Sequence, residues 1–207
     1  MVRPERFWDK VAVWYSRHKV ADEASYHRKL EQTRRYLTAQ SEVLEIGCGT
    51  GTTAQSHAPY AKHIRATDYS AKMLEIAQGK ADAAGIANVT FERIAIDELK
   101  VPDGSLDMVM AHSIFHLLPG WRDVIPRLHR MLKPGGVLVS STTCLGDGWG
   151  VLRIVGPIGA FVGILPSLAV FPREDFLAAI RQTGFEIGEE WQPGKGKAVF
   201  IVARKPH

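Results

Sequence analysis

Apolar positions along the chain follow two rhythms, short continuous runs and helical spacing, and the two alternate. Phe7, Val11, Trp14 and Tyr15, and then Tyr26, Leu30 and Leu37, recur at helical intervals on either side of the polar break Ala21-Asp22-Glu23. This predicts two helices ahead of the first strand. Val43-Leu44-Glu45-Ile46 reads as a buried strand that breaks into Gly47, Gly49 and Gly51 and then into a short helix, Thr53 to Tyr60, ending at Pro59. The remaining strands are expected at His63–Thr67, closed by Asp68, and at Val89–Ile94, Leu106–Ala111 and Val137–Ser140. Between them come helices at Ala71–Ala84 and Trp121–Leu132, the first stopped by Gly85 and the second by Lys133-Pro134-Gly135-Gly136. The alternation of strand and helix implies a parallel sheet covered on both faces, with ligands at the carboxyl ends of the strands. Last come a helix from Arg173 to Thr183 and two strands, Phe185–Glu189 and Ala198–Ala203, joined too tightly for a crossover helix and so expected to pair antiparallel.

Composition narrows this only a little. At 207 residues and 45% hydrophobic content the chain can bury one sizeable core, so one domain over residues 1–207 is expected. The net charge of +4 comes from 26 basic and 22 acidic residues spread along the chain, so no nucleic-acid partner is indicated. Cys48 and Cys144 stand far apart, which supports neither a disulfide framework nor a metal site. With no apolar signal segment at the start, a cytoplasmic setting is expected. The stretch from Val151 to Phe171 is the exception, because its uncharged part reaches the length of a membrane span. Pro157, Pro166 and three glycines argue against a straight span and leave a helical hairpin closing the core as the alternative.

The candidate chemistry gathers at the glycine turn. Glycines at a strand-to-helix junction allow a sharp turn and close approach of a ligand, and the helix beyond offers free N–H groups. Asp68, about twenty residues on, stands where a carboxylate accepts from ribose hydroxyls in dinucleotide folds. Its other reading is a cap, shared with Ser70, on the next helix. A nicotinamide fold would place its third glycine at Thr52, and a Walker phosphate loop would end in Gly-Lys-Ser/Thr, so neither diphosphate ligand fits well.

The runs Val43 to Gly51, Ala66-Thr67-Asp68-Tyr69-Ser70 with Met73-Leu74, Leu106-Asp107-Met108-Val109 and Leu132 to Gly136 occur in that order. With them the chain resembles the class I S-adenosylmethionine-dependent methyltransferases, in particular small stand-alone enzymes acting on metabolites, quinones or lipids. The resemblance implies a three-layer α/β Rossmann-like sandwich with a seven-stranded, mostly parallel sheet whose last strand is antiparallel. It also implies a helical N-terminal lid over residues 1–40 and a variable acceptor-site insertion over residues 144–172. The implied cofactor is S-adenosylmethionine, held by Glu45, Gly47, Cys48 and Gly49 at its methionine end and ribose. Asp68 would hold the ribose, Tyr69 and Met73 would flank the adenine, and Tyr15, with Lys19 nearby, would reach down from the lid.

Where relatives carry Gly-Asp-Ala after the third strand, this chain has Ile94-Ala95-Ile96, so Ile96 is left to pack on the adenine and Asp97 to replace the missing acceptor. His112 matches a position beside the methionine group, and His116 is a candidate base in an apolar setting; methyl transfer often needs no base, and none is assigned. The apolar insertion implies a lipid-like or quinone-like acceptor or contact with a membrane surface. Two alternatives stay open, a non-catalytic S-adenosylmethionine- or lipid-binding protein on the same scaffold and a nicotinamide oxidoreductase.

Overall fold

The computed structural model describes residues 4–18, 22–148 and 166–207. The strands are β1 (Glu42–Ile46), β2 (His63–Asp68), β3 (Val89–Arg93), β4 (Leu106–His112), β5 (Leu132–Thr142), β6 (Glu186–Trp191) and β7 (Val199–Arg204). They form one sheet in the order β3-β2-β1-β4-β5-β7-β6. β1 runs parallel to β2 and β4, and β7 runs antiparallel to both its neighbours, β5 and β6. The helices are α1 (Pro4–Arg17), α2 (Glu23–Arg34), α3 (Thr52–His57), α4 (Ala71–Ala83), α5 (Trp121–Met131) and α6 (Arg173–Gln182).

Strand alternation divides the core in two. Leu44, Ile46, Val109 and Ala111 face one layer with Phe115, Ile125, Leu128 and Phe176, whereas Val43, Met108 and Met110 face the other with Ile64, Val139 and Phe200. Successive residues of a strand point to opposite faces, so the continuous apolar runs of β1 and β4 signal burial on both sides.

β5 departs from the sequence reading. It begins at Leu132, because the Lys133 to Gly136 turn is drawn into the sheet by the C-terminal segment. Gly135 N–H donates to Lys205 O and Lys205 N–H donates to Gly136 O, both at 2.8 Å. Gly135 adopts φ +79°, a left-handed conformation that glycine tolerates. β6 is also displaced toward the C-terminus, and Phe185 is left to pack in the core ahead of it.

Both N-terminal helices are tied to the sheet layer. Asp9 of α1 accepts from Ser70 Oγ (2.6 Å) and Lys72 N–H (3.1 Å) at the start of α4. Gln32 of α2 donates to Glu189 and accepts from Trp191 Nε1 (2.6 Å), and just beyond the helix Tyr36 OH donates to Glu189 (2.9 Å). Residues of both helices face Glu45 near the end of β1 and His112 at the end of β4 across one space, which the helices roof.

Candidate functional site

Under that roof lies a cavity of about 770 Å³. Its floor is the glycine turn with Glu45, His112, Ser113 and Ser141, and its walls are Trp14, Tyr15, Ser16 and His18 at the end of α1, Tyr26, Lys29 and Thr33 of α2, Thr53 and His57 of α3, and Lys197. This volume is in the ordinary range for a small-molecule site.

The three glycines of the turn do different things, although all have positive φ (+64°, +53° and +71° for Gly47, Gly49 and Gly51). A Cβ on Gly47 would lie 2.5 Å from Ile114 Cδ1, and one on Gly51 would lie 2.8 Å from both Ala77 Cβ and Phe91 Cε1. A Cβ on Gly49 would meet nothing within 4 Å. Both Gly47 and Gly49 border the cavity, but a side chain on Gly47 or Gly51 would strike packed neighbours, whereas one on Gly49 would enter open space.

Asp68 holds this turn: its carboxylate accepts from Gly49 N–H and from Ser70 N–H, both at 2.9 Å. Burial raises its pKa, the bonds from Ser70, Gly49 and Tyr69 oppose that rise, and Asp9 adds to it. Ser70 caps α4 by accepting from Met73 N–H (3.2 Å), so the capping reading holds for Ser70, while Asp68 braces the turn that precedes it.

Glu45 is only 2% exposed, and its Oε2 has no hydrogen-bond partner among the described residues. Burial pushes its pKa up to about 8, against the hydrogen bond from the Ala54 backbone and with a further contribution from Asp68. His57, fully buried, donates from Nδ1 to Thr53 O (2.8 Å), which leaves Nε2 as a bare acceptor without a partner. His112 Nε2 and Tyr26 OH are likewise buried and unpaired. Burial, then the charges of His57 and Lys29, push the His112 pKa down to about 3, so its ring is neutral at physiological pH. Unpaired buried polar atoms are costly, and their convergence on one cavity points to a polar ligand there.

The raised pKa of Glu45 gives a stability prediction. A carboxyl group protonated in the folded state up to about pH 8, but only to its usual range when unfolded, contributes stability that is complete below the unfolded pKa. That contribution is lost as pH rises through the folded value. Urea denaturation is therefore expected to show Glu45→Gln gaining stability over the parent between pH 5 and pH 9; a difference constant across that range would contradict the assignment.

Tyr15, Glu45, Gly47, Cys48, Gly49 and His112 all line the cavity. Tyr15 is 47% exposed, and its hydroxyl is raised above the usual phenol range by desolvation and then by Asp68, Tyr26 and Glu45. Asp68, Tyr69, Met73, Ile96 and Asp97 do not line it. Met73 is buried, Ile96 packs against the core, and Asp97 is an exposed loop residue whose carbonyl accepts from Arg127 (3.3 Å). Lys19 lies outside the described residues, as do residues 149–165 of the apolar insertion.

His116 faces a separate, largely apolar groove of about 470 Å³ formed with Phe7, Val11, Leu117, Leu145, Pro166 and Leu168, and burial pushes its pKa down to about 4. Trp14 and Tyr15 border both spaces. Among the described residues no group of His, Cys, Asp and Glu could hold a metal ion, and no helix is long and apolar enough to cross a membrane.

Sequence reasoning missed Lys29, His57, Tyr26, Ser141 and the turn at Ser113. Ser113 takes φ +54°, uncommon for a residue with a side chain, directly after His112, and its N–H donates to Ser141 O (2.7 Å). Lys29 was visible only as a polar residue beside Leu30, and nothing local marks it as facing inward.

A family model described as a methyltransferase domain matches residues 43–136. The chain is 31% identical over 142 residues to the malonyl-[acyl-carrier protein] O-methyltransferase of Bacillus cereus, covering 67% of this chain and 51% of that protein. It is 31% identical over 119 residues to the ubiquinone biosynthesis O-methyltransferase of Albidiferax ferrireducens, covering 57% of this chain and 47% of that one. The match thus spans about half the length of these curated relatives. Among solved structures, a SAM-dependent methyltransferase from Aquifex aeolicus superposes with a TM-score of 0.68 at 18% identity over 99% of this chain and 100% of that one, a likeness of fold.

Proposed function

Since this chain belongs to the class I S-adenosylmethionine-dependent methyltransferase family, we propose that it transfers a methyl group from S-adenosylmethionine to a small acceptor with an apolar body. The observation that carries this reading is the convergence of the open Gly49 position, the unpaired Glu45 Oε2 and the Asp68-braced turn at one cavity. The cofactor, when bound, supplies a methyl group already activated on a sulfonium sulfur.

In this reading Glu45, Gly47, Cys48 and Gly49 hold its methionine end, with the Glu45 carboxyl placed for the ammonium group. Asp68 takes the ribose hydroxyls with the lone pairs left by its two backbone bonds, since a carboxylate has about four acceptor positions. Tyr69, Met73 and Ile96 border the adenine, and Asp97 reaches the adenine amine only if its loop turns inward. Tyr15 closes the site from α1, and His112 orients the methionine group. No residue is given the part of general base: alignment of acceptor, methyl carbon and leaving sulfur supplies the acceleration. The whole chain acts as one domain, with residues 1–40 as cover and residues 144–172 bordering the acceptor.

The apolar body of the acceptor is inferred from the groove beside Tyr15, lined by Phe7, Val11 and Leu117. The relatives named for quinone and acyl-carrier chemistry accord with a small organic acceptor, and contact with a membrane surface would serve one drawn from lipid. An acceptor screen with radiolabelled methyl donor, joined to liposome co-sedimentation, tests both points. Label incorporated into apolar acceptors is expected; incorporation only into small polar compounds would refute the apolar body, and absence of liposome binding would remove the membrane contact.

A positive group bound beside Glu45 would favour its carboxylate. Titration of S-adenosylhomocysteine at pH 7 in buffers of different ionisation enthalpy should therefore show proton release, lost in Glu45→Gln. Release unchanged in that variant would take Glu45 out of contact with the ligand.

A further inference from the structure

One wall of the cavity carries a cation, Lys29, that among the described residues no acidic side chain pairs with. Lys29 lies on the face of α2 shared with Tyr26 and Thr33, and its ammonium donates to Ser141 Oγ of β5 at 2.7 Å. Among the described residues it forms no ion pair, and Asp22, which favours its charge from a distance, is engaged at the N-cap of α2, accepting from Ser25 N–H (3.0 Å). Burial lowers the Lys29 pKa, as expected of an ammonium taken from water without a counter-charge.

Its position separates it from the glycine turn. Ser141 is opposite His112 on the adjacent strand, and β4 stands between β5 and β1 in the sheet. With strands about 4.8 Å apart, Ser141 is roughly 10 Å from the strand that carries the glycines. The neighbouring unpaired atoms, His112 Nε2 and His57 Nε2, belong to rings whose pKa values are lowered by burial.

We propose that Lys29 is the anchor for an anionic oxygen on the methyl acceptor, and that the acceptor is a carboxylate joined to an apolar body, methylated to its ester. This rests on the methyltransferase reading and specifies its substrate class. The cation and the apolar groove beyond Trp14 and Tyr15 provide the two ends of such a molecule.

The chemistry of the site agrees. A carboxylate is already ionised at neutral pH, and a neutral imidazole whose conjugate acid has a pKa of about 3 is a poor base for an alcohol or ammonium group. In the transfer, one carboxylate oxygen forms the new O–C bond as the C–S bond breaks. The bonding pair returns to sulfur to give a neutral thioether, and no proton moves. Because the acceptor loses its charge in this step, Lys29 holds the reactant more strongly than the transition state, so its loss is read in KM rather than in kcat.

The test uses matched carboxylic acids and primary amides, straight-chain from six to twelve carbons and benzoic, titrated into the protein with and without saturating S-adenosylhomocysteine. At least one acid is expected to bind ten-fold or more tightly than its amide. Lys29→Met should erase that preference while leaving S-adenosylhomocysteine affinity within three-fold, and Lys29→Arg should restore most of it. The proposal is overturned if no acid outbinds its amide, if Lys29→Met keeps the preference and only lowers the melting temperature, or if it weakens S-adenosylhomocysteine by the same factor as the acid. Failure of the parent protein to bind S-adenosylhomocysteine at all would instead sink the methyltransferase reading, and the arm without it still decides whether Lys29 is an anion site.

Discussion

Asp68→Ala is expected to weaken S-adenosylhomocysteine binding by about 1.5 to 3 kcal/mol, roughly ten- to 150-fold, the range for losing hydrogen bonds to a charged group. The expected effect has two sources. In the proposed binding mode the carboxylate accepts from the ribose hydroxyls, and in the structure it fixes Gly49 N–H and Ser70 N–H, so its removal loosens the turn at the cavity floor. Asp68→Asn removes the charge but keeps only half of the brace: Gly49 N–H and Ser70 N–H bond to different carboxylate oxygens, so the single amide oxygen can accept from one of them while the NH2 faces the other, and an intermediate loss of affinity is expected. Calorimetric titration of both variants, with melting curves to establish folding, is the measurement. An affinity unchanged in folded Asp68→Ala would remove this residue from the site.

Gly51→Ala is expected to cost the fold about 2 to 5 kcal/mol. A side-chain-bearing residue in the left-handed region costs about 1 to 2 kcal/mol, and overfilling a packed contact adds about 1 to 3. The methyl group would lie 2.8 Å from Ala77 Cβ on α4 and from the Phe91 ring on β3, neither of which can swing away as a long flexible chain would. Gly49→Ala has the same backbone cost but an open surrounding, so its larger effect should be on ligand affinity. Urea denaturation of the two variants side by side should place Gly51→Ala below Gly49→Ala by about the packing term. Equal losses would contradict the division of labour within the turn.

That division could not be read from the chain. Three alternating glycines at the end of an apolar run announce a turn near a ligand, but which glycine packs and which opens depends on Ile114, Ala77 and Phe91, remote in sequence and adjacent only in the fold. The sheet was more legible, because β1 and β4 are apolar on both faces and glycine or proline punctuates the helices. β5 was misjudged at its start since the ladder between Gly135, Gly136 and Lys205 is a long-range contact that overrides the local turn signal.

The same distinction runs through the site. Glu45, His112 and Tyr15 were all named by the family resemblance, the first two close to the carboxyl ends of β1 and β4, and all three line the cavity. Asp97 looked like a substitute acceptor because it is two residues from the right position, yet it is exposed and away from the cavity. Lys29 and His57 were missed for the opposite reason: a lysine or histidine on a helix reads as a solvated face, and only the docking of α2 and α3 turns these two inward.

The central claim is that the cavity under α1 and α2 is an S-adenosylmethionine site, and calorimetric titration of the full chain with S-adenosylhomocysteine and, separately, with NAD tests it most directly. The expected result is one equivalent of S-adenosylhomocysteine bound, weakened in both Asp68→Ala and Gly49→Ala, with no binding of NAD. Tight binding of NAD without binding of S-adenosylhomocysteine would contradict it.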